Sequence, residues 1–318
     1  MLLLALLAGI SDVVARLETG AWSGRYFALF AALALISAAF VALTEANIVD
    51  WLRQCSAQSA AAALTIPLLL IFPYLVYGWG TETFSAWTLL KLVTYILAPN
   101  LLLLPDRLRP RAGIGWRDAA AMLALAAPVS AGWLAHIWTY PLEFGFFRAA
   151  YCVSTGVYAF VVIRRLDNVG SSLLWSKQDL AAGIVRFAGF AALGIPLGYA
   201  LRFIRLRSNA VRPEVVAIEF VGIYLTIAIP EEVLFRGILQ NLIEQSFSSN
   251  HRSLHALLLA SPVFGLCHLY HRPAPNWRYA LMATLAGLFY GNAFLRRRRT
   301  ACCALTHALV DTVWSAWL

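Results

Sequence analysis

The chain has 318 residues, 61% of them hydrophobic and only 13% charged, with a mean hydropathy of +0.71. A soluble domain carries about 25% charged residues, so a water-soluble enzyme or binding module is excluded, and continuous rather than alternating apolar runs exclude a β-barrel. The net charge of +9 does not imply nucleic acid, because the arginines gather in interhelical clusters such as "DRLRPR", "RFIRLR" and "RRRR", as they do in loops of membrane proteins.

In chain order, the opening "MLLLALLAGI" lacks a positive n-region and reads as a retained segment rather than a signal peptide. Apolar runs then predict spans near 26–44, 57–79, 86–104, 118–138, 149–163, 181–201, 214–236, 254–270, 277–295 and 301–317. The expected fold is an all-α, multi-pass membrane helix bundle of about eight to ten helices. Residues 1–209 read as an N-terminal membrane-spanning region of unknown role, and 210–318 as a region of different character. Glu82, Asp106 and Glu143 fall in predicted loops and read as solvated charges. The five cysteines (Cys55, Cys152, Cys267, Cys302 and Cys303) form no CxxC pair, so neither a disulfide framework nor a cysteine metal site is indicated. The arginines at 296–299 place their turn in the cytoplasm. The cluster from Arg202 to Arg212 conflicts with simple alternation from that turn.

Polar residues concentrate after 210. "AIPEEVLFRGILQ" sets Glu231, Glu232 and Arg236 in an apolar run directly behind Pro230. On a helix, Glu232 and Arg236 are four apart and in ion-pair register, whereas Glu231 points about 140° away from Arg236. One carboxylate therefore has a built-in partner and the other does not. Pro230 removes a backbone donor and is expected to kink the helix, a fault tolerated where a helix lines a cavity. "SPVFGLCHLYH" holds Phe264 and His268 four apart, and "CCALTHALVDTVW" holds His307 and Asp311 four apart. His136 reads as a packing residue, and His251, His255 and His271 as loop-flanking solvated ones.

Ionisable groups on separate membrane helices converge in bundles to form functional centres. Two histidines with two or three carboxylates suit hydrolysis: a buried carboxylate takes a proton from water, and imidazoles stabilise an oxyanion. The set Glu231, His268, His307 and Asp311 also suits Zn²⁺, although HExxH is absent. A transporter or a scaffold held by an ion network is the competing class, since midplane charges and a broken helix occur there too. No inverted repeat supports it.

"EEVLFRG", "FGLCH" and "HALVD" resemble, in order and spacing, the motifs EExxxR, FxxxH and HxxxN/D of the CPBP (Abi) intramembrane proteases. This family comprises the type II CAAX prenyl proteases and their bacteriocin-processing relatives. The resemblance covers residues 210–318 and makes that region a CPBP-like protease domain. It implies an intramembrane endopeptidase cutting near the C-terminus of a membrane-associated or lipidated protein, with the bilayer as its setting and no cofactor, zinc being the alternative. It further implies that Glu231 activates water, that Glu232 and Arg236 brace the site, and that His268 positions water or substrate. His307 and Asp311 would form the oxyanion side, with Phe264 in support. Many members have Asn where Asp311 stands. An ionised Asp311 donates no hydrogen bond, so it must be protonated, orient His307 or bind metal. With the arginine turn inside, His307 lies about 12 Å from the cytoplasmic end of its helix, and the cavity is expected to open on that side.

Overall fold

The computed structural model describes residues 24–140, 145–170, 173–207, 211–271 and 273–318. The retained N-terminal segment and Glu143 lie outside the described residues. The elements described are helical, as the continuous apolar runs require in a medium where each backbone polar group must be satisfied within its own segment. They fall into two compact units, one taking in 24–111 and 115–167, the other 112–114 and 168–318.

The first unit contains α1 (Gly24–Ala42), α2 (Ala46–Gln58), α3 (Ala60–Gly80), α4 (Ala86–Leu103), α5 (Trp116–Ser130) and α6 (Gly145–Val157, extended by an i→i+5 turn to Ile163). Its core is aromatic: Trp138 stacks on Phe147 with ring centroids 3.6 Å apart, and Tyr77 packs on Trp138 at 4.6 Å. The expected span at 118–138 is shorter in the structure. α5 ends at Ser130, two residues past Pro128, and the chain turns at Gly132, whose φ of 72° is open to glycine.

Asp106 is not a solvated loop charge. It is 3% exposed and accepts from Arg111 at 2.9 and 2.7 Å, which holds the Arg111 guanidinium above its ordinary value. Asp118 caps the start of α5 through the Gly115 N–H at 2.7 Å and binds Arg164 at 2.8 Å. The knot joins the end of α4, the start of α5 and the end of α6. Asp106, Arg111 and Asp118 are near neighbours in sequence, but Arg164 joins them from 46 residues away, so no local pattern discloses the whole knot. Glu82 is exposed, as expected, and pairs with Arg25.

The second unit contains α7 (Lys177–Ala200), α8 (Pro213–Gln245), α9 (Arg252–Leu266), α10 (Trp277–Arg297) and α11 (Thr300–Trp317). Pro230 does not end α8. The helix runs through it, winding i→i+5 at Tyr224–Ala228 and again at Val233–Gln240. Wider turns of this kind give the proline ring room against the preceding carbonyls and recur at functional sites.

Six helices among the described residues (α1, α3, α4, α6, α7 and α8) are long and apolar enough to cross a bilayer. α10 and α11, with 21 and 18 residues, have the length, but polar groups such as Asn292 and Arg296 on the one and His307 and Asp311 on the other lower their hydropathy. α9, with 15 residues, falls short of the roughly 20 a span needs.

Candidate active site

α8, α9 and α11 bring the three motifs together within the second unit. Glu232 and Arg236 are both fully buried, and the Arg236 Nε donates to Glu232 Oε2 at 3.0 Å. The other oxygen of Glu232 accepts from His307 Nδ1 at 3.0 Å. Nε2 of His307 lies 3.3 Å from Asp311 Oδ2 and 4.0 Å from Glu231 Oε2. One imidazole is thus held edge-on between carboxylates. This arrangement needs a proton on each ring nitrogen, or one on a carboxyl.

The two glutamates differ as helical geometry requires. Glu232 points into the bundle, whereas the Glu231 side chain is 34% exposed and faces a cavity. His268, just past α9, is turned by its Nδ1–H, which donates to the Phe264 carbonyl at 2.9 Å. A carbonyl only accepts, so this bond sets the ring orientation and leaves Nε2 for other partners. Phe264 touches both halves of the site. Its ring lies 5.0 Å from the Arg236 guanidinium carbon and meets His307 edge-on at 5.9 Å.

Two groups escaped the sequence reading. Tyr290 of α10 stacks on His307 at 4.6 Å and 14° and is 1% exposed. Its neighbouring glycines, Gly287 and Gly291, were the available signal, since they let α10 approach closely. His271 is not merely a loop residue: it lines the cavity and stacks on His268 at 5.3 Å.

The cavity has a volume of about 550 Å³ and largely apolar walls. On α8 its lining runs from Glu219 to Glu231, and on α11 from His307 to Leu318. On α7 it runs from Phe187 to Ile195, and on α10 from Tyr279 to Tyr290. In each case the lining extends toward the end of the helix remote from the arginine turn. At that turn Arg297 and Arg299 pair with Asp179 at 3.0 and 2.9 Å, and Arg298 grips Glu244 at 2.5 and 2.6 Å. The lining thus extends from His307 away from the arginine turn. Distance along α11 alone carries no information about which way the cavity runs.

Both ring nitrogens of His307 face carboxylates, and among the described residues no group of three or more His, Cys, Asp or Glu side chains could hold a metal ion. Cys302 and Cys303 are buried and free, packed into the core with Phe264 and Tyr290.

No curated protein and no solved structure matches the chain. Residues 212–313, roughly a third of the sequence, match the family model described as type II CAAX prenyl endopeptidase Rce1-like, and the matched segment takes in all three motifs.

Proposed function

We propose that the second unit is an intramembrane endopeptidase in which Glu231 activates water for attack on a peptide bond near the C-terminus of a membrane-associated or lipidated protein. The observation that carries this reading is that Glu231, alone of the paired carboxylates, faces the cavity beside His307. Glu231 takes a proton from water as the water oxygen adds to the carbonyl carbon, and the proton passes to the leaving nitrogen when the C–N bond breaks. Glu232 and Arg236 hold His307 in place. His307 and His268 face the developing oxyanion. The apolar walls suit a lipid or an apolar client segment. The test is a comparison of membrane proteomes from cells carrying the wild type or Glu231→Gln. A client cut only with the wild type supports the reading, and identical cleavage patterns would end it.

The reading takes the reaction as metal-free. What supports this is the engagement of both His307 nitrogens by Glu232 and Asp311. Asp311→Asn keeps the size and an acceptor for the ring N–H. Turnover is expected to survive and chelators to have no effect, whereas replacing an anionic metal ligand would weaken metal binding and turnover together. Stoichiometric zinc in the purified protein, lost along with turnover in Asp311→Asn, would overturn this.

We place the cavity end of the unit on the cytoplasmic side. The support is that three of the four arginines at 296–299 are bound by Asp179 and Glu244, while Arg202, Arg205 and Arg207 at the cavity end are exposed. A membrane-impermeant maleimide is expected to reach Leu206→Cys only from inside the cell and Arg296→Cys only from outside. The reverse pattern would invert the topology.

A further inference from the structure

From the active centre outward α8 carries a polar run whose outer members, Gln240 and Glu244, the reaction does not use. Glu232, Arg236, Gln240 and Glu244 recur every four residues, and all are buried, the first three at 0% exposure. At 100° per residue each step of four drifts by about 40°. The i→i+5 winding of Val233–Gln240 turns less per residue and holds the series closer to one face. At its outer end Glu244 is satisfied by Arg298 and by the Ser253 hydroxyl at 2.6 Å.

The middle of the run is not closed by protein. Arg236 Nη1 and Nη2 and Gln240 Oε1 are buried without a protein hydrogen-bond partner, although Gln240 Nε2 donates to the Gly291 carbonyl at 3.3 Å. The Phe264 ring, 5.0 Å from the guanidinium carbon, attracts the charge but offers no nitrogen or oxygen acceptor. Buried donors and acceptors left in this way are rare, and internal water making about three hydrogen bonds is the usual remedy. α10 is cut to match. A Cβ at Gly287 would come within 3.4 Å of Arg236 Nη2, and one at Gly291 within 2.5 Å of Gln240 Oε1.

We propose that α8 and α10 enclose an internal water site between the Arg236 guanidinium and the Gln240 carboxamide, and that Gln240 is thereby a positioning residue for Glu232 and His307. The ligand is water, which accepts from the Nη atoms and donates to Oε1. Held at both ends, Arg236 fixes one oxygen of Glu232, whose other oxygen fixes His307. The site's α8 members, Arg236 and Gln240, do not line the cavity, whereas Phe264 beside Arg236 does. Only its catalytic consequence rests on the peptidase reading.

The direct test is an experimental density map of the full-length protein at a resolution that shows ordered water. A water within hydrogen-bond distance of both an Arg236 Nη and Gln240 Oε1 is expected, and Nη atoms meeting only carbon would refute the site. The second test is Gln240→Leu, which keeps the volume and removes the carboxamide. kcat is expected to fall about tenfold at unchanged KM, with Gln240→Glu restoring most of it. An unchanged kcat in Gln240→Leu would refute the positioning role, and if that variant fails to fold, the map decides. Continued cleavage by Glu231→Gln would instead strike the peptidase reading and leave the map as judge of the water site.

Discussion

Glu231→Gln is expected to give a protein that folds and melts like its parent but leaves its client uncut, with kcat lower by about 10²–10⁴-fold, the usual contribution of a general base. The amide keeps the size of the carboxylate and cannot take the proton. Folding is spared because Glu231 Oε2 has no hydrogen-bond partner to lose, and its nearest ring nitrogen, Nε2 of His307, is 4.0 Å away and already beside Asp311 at 3.3 Å. Turnover by the purified variant within about tenfold of the wild type would remove Glu231 from the role of base.

Glu232→Ala carries the other large effect, and it falls on stability. Arg236 is fully buried, and its bond to Glu232 is the one hydrogen bond described for its side chain. Removing the carboxylate strands a guanidinium in the core, which costs about 3–5 kcal/mol in buried pairs of this kind. It also frees the His307 ring, which loses its 3.0 Å bond at Nδ1. A lowered melting temperature in detergent is expected for Glu232→Ala and not for Glu231→Ala. Equal melting of the two would show that the adjacent glutamates are interchangeable, against the geometry described above.

That contrast was legible in the sequence because it is local. The four-residue spacing of Glu232 and Arg236 fixes their relative direction on any helix, with either α or slightly wider winding. The membrane class was legible for a similar reason: apolar runs of about 20 residues have few alternatives. So were the three motifs, since the charges in them stand out against the apolar background.

What only the tertiary structure decided are the partnerships between helices. Glu232 meets His307 across 75 residues, Arg164 meets Asp118 across 46, and Asp179 draws in Arg297 across 118. A soluble helix reveals its buried side by an apolar stripe, but a membrane helix is apolar toward lipid and protein alike, so its rotation is not written in hydropathy. Tyr290 against His307, the burial of Asp106 and the direction in which the cavity extends all depend on those rotations. Sequence thus determined that Glu231 and Glu232 must differ. Packing determined that Glu232 is the one locked between Arg236 and His307, and Glu231 the one turned to the cavity.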